Sequence, residues 1–265
     1  MRLIAHISDL HFGKEDKKIQ ESLLKHVQNL KPDLVVISGD LTQRAKKHQF
    51  VLAKKFIADI PFKTLVIPGN HDMPLYNMPK RFLKPLKEYK RHITDELNPF
   101  FADEEIAVFG LNTTRSLSGL LGKISKKQIA KLHKEFSGVD ASLTKIVVTH
   151  HPFVNSNGKK VRIISRASKT MKAIEHSGAD VILAGHLHIG FSGDVSSAYH
   201  LVGRSIIVAH AGTAFSTHHR REPNSFNLLH IHENTIDIEV HMWDEKIFTV
   251  TQKATYKKTT KSAEK

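Results

Sequence analysis

Five times along this chain a short apolar run ends directly in a cluster of Asp, His or Asn, and this recurrence limits the possible folds more than any other feature. The clusters are Ser8-Asp9-Leu10-His11, Gly39-Asp40, Gly69-Asn70-His71-Asp72, Thr149-His150-His151-Pro152 and Gly185-His186-Leu187-His188. The runs that precede them, such as Leu3 to Ser8, Asp33 to Ser38 and Lys145 to Thr149, are rich in β-branched residues and read as buried strands. Between them lie amphipathic stretches, the first built on Ile19, Leu23, Leu24, Val27 and Leu30, with others predicted near 45–60, 125–136 and 165–176. Strand and helix alternate, and in open α/β sheets the carboxyl ends of the strands converge on one crevice. Clusters far apart in sequence can therefore meet in space.

The organisation predicted is one α/β domain with two sheets and helices outside, spanning 1–250. Ser225 to His232 and Thr235 to Trp243 alternate in polarity around Glu233-Asn234 and read as a hairpin. From Met73 to Phe101 the strands pause for a segment punctuated by Pro74, Pro79, Pro85 and Pro99, expected to form a helical, cap-like insert near the mouth of a site. The last segment, 251–265, has five lysines and little apolar content, and is expected to be a disordered basic tail. No stretch has the roughly 18 consecutive apolar residues of a membrane span. The start, Met1 to Asp9, lacks a signal-peptide pattern, which predicts a soluble cytoplasmic protein.

The chemistry of the clusters suits metal binding. The chain has no cysteine, so a metal must be held by oxygen and imidazole. Asp9 with His11, and His186 with His188, are spaced i, i+2, which sends both side chains of an extended segment in one direction. Asp40, alone after Gly39, is suited to bridge two cations whose repulsion needs a shared anionic ligand. Together the set describes a binuclear centre. Mn, Fe, Zn, Co and Ni all accept such nitrogen and oxygen sites.

These blocks, in this order, resemble the signature of the calcineurin-like metallophosphoesterases: D-x-H, G-D, G-N-H-D, a strand-end His and G-H-x-H. The resemblance runs over about residues 3–213, and Thr149 to Pro152 with Ala211-Gly212-Thr213 is most similar to the bacterial class III cyclic-nucleotide phosphodiesterase branch. It implies a four-layer αββα sandwich of two mixed β-sheets flanked by helices, with a small helical cap insert. It also implies one divalent ion held by Asp9, His11, Asp40 and His188 and a second by Asp40, Asn70, His150 and His186. A hydroxide between the two ions would be the nucleophile on a phosphodiester, with His71 serving the leaving group and Asp72 orienting His71.

For the substrate, the net charge of +14 favours an anionic phosphodiester. Asn112 and Arg115, after the strand Ile106 to Leu111, are candidate substrate contacts, and the basic residues Lys159, Lys160, Arg162, Arg166, Lys169 and Lys172 adjoin ligand motifs. A small diester such as a 3',5'-cyclic nucleotide is preferred. A nuclease, a hydrolase of a nucleotide-linked lipid pyrophosphate and a non-enzymatic, metal-stabilised interaction module are the alternatives. Nucleic acid as a partner is not favoured, whereas peripheral membrane contact and a homodimer stay open. The segment 216–227, with His218, His219, Arg220 and Arg221, has no assignment. His6 and His26 are expected to be structural or exposed, and His151 to lie outside the ligand set.

Overall fold

The computed structural model of the chain describes residues 1–75, 77–117, 121–154, 164–195, 198–199, 205–218 and 222–258. Lys159, Lys160, Arg162, His219, Arg220 and Arg221 lie outside them. In chain order the elements are β1 (Arg2–Ile7), α1 (Lys17–Leu30), β2 (Leu34–Ile37), α2 (Lys47–Ala58) and β3 (Thr64–Val66). After a 3₁₀ turn at Asn70–Asp72 come α3 (Met78–Leu83), α4 (Lys87–His92), β4 (Phe100–Ala102), β5 (Ile106–Leu111), α5 (Lys126–Ser137) and β6 (Thr144–Thr149). The chain continues with α6 (Ala167–His176), β7 (Val181–Ala184), β8 (Phe191–Asp194), β9 (Ile207–His210), β10 (Ser225–Ile231), β11 (Thr235–Trp243) and β12 (Phe248–Lys257).

Two six-stranded sheets result, with orders β12-β11-β10-β1-β2-β3 and β4-β5-β6-β7-β9-β8. Both are mixed: β1, β2 and β3 run parallel, as do β5, β6, β7 and β9, while β10 to β12, β4 and β8 are antiparallel additions. Side-chain alternation sorts each central strand between two cores. Ile4, Val36 and Leu65 meet Val108, Ile146 and Leu183 between the sheets. Ala5, Ile7, Val35 and Ile37 face the opposite way, against Leu23 and Val27 of α1 and Phe50 and Phe56 of α2. On the far side Phe109, Val147 and Ile182 pack on Leu132 and Phe136 of α5 and Met171 and Ile174 of α6. This is the expected four-layer αββα sandwich. Burial on both faces is why the central strands read as continuous apolar runs.

The expected disordered tail is overturned for its described part. Residues 251–257 belong to β12, which pairs antiparallel with β11 along its length, with a bulge at Val240/His241. Its exposed, lysine-bearing sequence is that of an edge strand, where charge discourages pairing with other chains. Within 251–257 only alternate residues, Ala254 and Tyr256, turn partly inward, and the Tyr256 hydroxyl lies 2.9 Å from Ser192 Oγ. Such a strand has little apolar signal to find. Residues 259–265 lie outside the described residues.

His6 of β1 and His210 of β9 are buried. His6 Nε2 is 2.9 Å from Ser38 Oγ. Burial, then His210, pulls the pKa of His6 down to about 3, and burial pulls that of His210 down to about 4. Both are neutral in the fold and take up protons on unfolding below about pH 6.5, so their share of stability is complete above that pH and declines as pH falls from 6.5 toward 4. Urea unfolding of the metal-free protein across this window should show the midpoint falling with pH. Replacing His210 by Phe should flatten the slope by about 1.4 kcal/mol per pH unit; an unchanged slope would refute the assignment.

Candidate metal centre

Each functional cluster sits just beyond the carboxyl end of a parallel strand: Asp9 and His11 after β1, Asp40 after β2, Asn70 after β3, His150 after β6, and His186 and His188 after β7. The loops turn inward at once, and the backbone shows what that requires. Asp9, His11, Asp40, His186 and His188 all have φ between 48° and 72°. They are five of the nine non-glycine residues with positive φ among those described. This conformation costs an L-residue roughly 1–2 kcal/mol, and its concentration here marks a site that the surrounding structure is built to hold. Gly69 and Gly185 serve the same end. A Cβ at Gly69 would overlap the Asp40 carboxylate, and one at Gly185 would overlap Ser8 Oγ and crowd Asp9.

The seven donor side chains fall into two groups. In the first, Asp9 Oδ1 is 3.5 Å from His11 Nε2 and 3.4 Å from His188 Nε2, and Asp40 Oδ2 is 3.8 Å from His11 Nε2. In the second, His150 Nε2 is 3.3 Å from Asp40 Oδ1 and 3.0 Å from Asn70 Oδ1, while His186 Nδ1 is 2.9 Å from Asn70 Oδ1 and 3.3 Å from His150 Nε2. Separations of about 3–3.5 Å are those of ligands sharing one ion at roughly 2.1 Å. Asp40 belongs to both groups, one carboxylate oxygen to each. Among the described residues Asp9 Oδ1 and both ring nitrogens of His11 are buried without a hydrogen-bond partner, an arrangement that an ion would satisfy. The residues present thus fit two cations of nitrogen and oxygen preference.

Partners outside this set aim the rings. His150 Nδ1 donates to the Ser38 carbonyl at 2.9 Å, which turns Nε2 toward Asp40 and Asn70. His188 Nδ1 contacts Thr213 Oγ1 at 2.7 Å, so its Nε2 faces Asp9. His151 is buried beside the ligand set and outside it, with Nδ1 2.6 Å from Thr113 Oγ1 and its ring centroid 4.8 Å from that of His186. Electrostatics follow from the same contacts. Burial alone would raise the Asp40 carboxyl, but His150 and then His71 hold it well below the usual carboxylate range. Against its own burial, His150 is raised to about 9 by Asp40. Burial and the neighbouring His150 lower His186 to about 4.

His71 stands at the edge of the first group. One of its ring nitrogens lies within 4.8 Å of donor atoms of His11 and Asp40, and its backbone N–H donates to Asp40 Oδ1 at 2.8 Å. Its Nδ1 contacts the Gln43 carbonyl at 3.0 Å. That contact corrects the role expected of Asp72, whose carboxylate accepts from the backbone N–H groups of Leu41, Thr42 and Gly69 and from the Thr42 hydroxyl. Asp72 therefore ties the loops after β2 and β3 together, and the carbonyl of Gln43 holds the His71 ring. Burial, followed by the charge of Asp40, pushes Asp72 up to about 7.

The candidate substrate contacts Asn112 and Arg115 make hydrogen bonds within the protein. Asn112 Oδ1 accepts from the backbone N–H and the hydroxyl of Thr114. The Arg115 guanidinium donates to the carbonyls of Asn112 and Thr114 and to Gln128 Oε1 on α5. Both residues brace the loop that carries Thr113, and Arg115 also ties it to α5. In the segment without an assignment, exposed His218 comes to the site, its ring centroid 5.1 Å from His11, 5.4 Å from His188 and 6.1 Å from His71. Its only sequence signal was a His among bases in an unassigned segment.

Known proteins resemble this chain. The chain is 25% identical over 200 residues to the glycerophosphodiester phosphodiesterase GpdQ of Enterobacter lignolyticus, with 70% of each chain covered. It is 29% identical over 162 residues to a probable cyclic nucleotide phosphodiesterase of Fibrobacter succinogenes, with 56% of each covered. Among solved structures, a purple acid phosphatase from yellow lupin seeds superposes with a TM-score of 0.67 at 12% identity, over 96% of this chain and 53% of that one, a likeness of fold. The expected fold and metal-dependent phosphoesterase class agree with these relatives. Among the described residues no helix is long and apolar enough to cross a membrane. Since the family model described as calcineurin-like phosphoesterase matches residues 2–190, over a domain whose strand ends carry that family's motifs, the chain belongs to the calcineurin-like phosphoesterases.

Proposed function

We propose that the chain hydrolyses phosphodiesters at a centre of two divalent transition-metal ions, one held by Asp9, His11, Asp40 and His188, the other by Asp40, Asn70, His150 and His186. The observation that carries this reading is the Asp40 carboxylate, whose two oxygens belong one to each donor group. Two ions held there would supply Lewis acidity to the phosphoryl oxygens and lower the pKa of water. The protein contributes placement. Strained loops, the Ser38 carbonyl and Thr213 fix the imidazole rings with their free nitrogens turned to the donor groups, so little movement of the rings is needed on binding. His71, held at Nδ1 by the Gln43 carbonyl, has Nε2 left to meet the leaving oxygen; in its imidazolium form that nitrogen donates a proton to the departing alkoxide.

The names of the curated relatives favour a small diester, of glycerol or a cyclic nucleotide, over a monoester. Protein reconstituted with Mn, Fe, Zn, Co or Ni salts is therefore expected to cleave bis-p-nitrophenyl phosphate faster than p-nitrophenyl phosphate. Absence of diester cleavage with two metal ions bound per chain would overturn the reading.

A further inference from the structure

Beside the metal centre lies a second concavity that the reaction at the metals leaves unused. It has a volume of about 560 Å³ and is walled by the start of α2 on one side and by α3, α4 and the prolines between β3 and α4 on the other. Asp72 lines it, and so do Ala45 and Arg44, which follow Gln43, the residue whose carbonyl holds His71. The cavity therefore borders the loop that holds His71, the residue proposed to serve the leaving alcohol. Its size is that of a small-molecule site.

The walls are basic. Arg44, Lys46, Lys47, Lys80, Lys84 and Lys87 line it, against the acids Asp72, which is buried, and Glu88. Among the described residues Lys46, Lys47, Lys80, Lys84 and Lys87 make no ion pair with an acid. Three of the six cations, Arg44, Lys46 and Lys47, are also gathered at the start of α2, whose first turn has no acidic residue. Cations at the positive end of a helix, facing three more across a concave gap, repel one another. An anion in the gap relieves that repulsion.

We propose that this cavity receives a phosphomonoester group carried on the leaving alcohol of the substrate, so that the preferred substrate is a phosphodiester bearing a second, terminal phosphate. The proposal rests on the phosphodiesterase reading above and adds the class of substrate. A terminal phosphate would be held through long, exposed lysine side chains, whose contribution is strong at low salt and screened at high salt. Plain diesters lack the group and gain nothing from the cavity.

The dinucleotides TpT, pTpT and TpTp test this, because whichever alcohol leaves, one of the phosphorylated forms carries the extra group on it. At low salt, wild-type holoenzyme should favour one phosphorylated dinucleotide over TpT by about tenfold or more in kcat/KM. That ratio should fall toward one in the double variant Lys80→Glu/Lys84→Glu and at high salt, and should persist in Lys126→Glu, a charge reversal on α5. Glycerophosphoglycerol and its terminal phosphate form a second pair, and a preference confined to one pair assigns a nucleoside or a glycerol source. Equal kcat/KM within both pairs, or a preference that survives the double variant, would overturn the proposal while TpT cleavage keeps the general reading intact. Calorimetric titration of inorganic pyrophosphate into chelator-treated protein reads the cavity without catalysis. Binding weakened at least about tenfold by Lys80→Glu/Lys84→Glu supports the cavity even if no diester is cleaved, and equal binding by both proteins sinks it.

Discussion

Asp40→Ala is expected to lower diester kcat/KM by roughly 10³-fold or more, corresponding to the loss of several kcal/mol of transition-state stabilisation. The reason is its double membership: one oxygen stands 3.3 Å from His150 Nε2 and the other 3.8 Å from His11 Nε2, so removing it opens both donor groups. It also removes the anion that makes two adjacent cations tolerable. The variant should bind fewer than two metal ions per chain by elemental analysis. The rise in melting temperature that divalent ions confer on the wild type by mass action should shrink or vanish. Loss at one member of a single group, as in His11→Ala, leaves the other group whole and should spare one ion. Full metal content in Asp40→Ala with activity within tenfold of wild type would sink the bridging assignment.

His71→Ala is expected to lower kcat by about 10²–10⁴-fold with both ions retained, the usual range for a lost proton donor. The ring is held from outside the donor groups, by the Gln43 carbonyl at 3.0 Å, so its removal takes away none of the seven donor side chains. The loss should depend on the leaving group. A diester of p-nitrophenol departs with little help and should be affected less than an alkyl diester, whose alkoxide needs the proton. Equal losses on both, or loss of metal together with activity, would remove His71 from this role. The Gln43 carbonyl offers a further contrast with Asp72: because Asp72 ties the loops after β2 and β3, changing it should act on stability and KM together with kcat.

Much of this was legible in the chain itself. The two-sheet core follows from local pattern, since a strand buried on both faces has to be apolar at consecutive positions and its end is marked by the first polar cluster. Asp9, His11, Asp40, Asn70, His150, His186 and His188 could be picked out because a ligand must be a particular residue type and each stands at a strand end. The partners that aim those ligands left no such mark. Ser38 and Gln43 act through backbone carbonyls, which every residue has, and Thr213 is one threonine among many. The hydrogen bonds made by Asp72, Asn112 and Arg115 were hidden for a related reason. A carboxylate or guanidinium near a site in sequence can spend its hydrogen bonds on tying loops and elements together, and sequence does not show which.

What the sequence by itself determined is the class of fold, which Asp, His and Asn residues stand at strand ends and their order along the chain, because these rest on residue type and short-range periodicity. Only the tertiary structure decided which donors share a group, that Asp40 divides its oxygens between two, that residues 251–257 close a sheet edge, and that six cations from α2, α3, α4 and their loops face one cavity. Those facts depend on distances between segments that are remote in sequence, and such distances are set by how the two sheets pack.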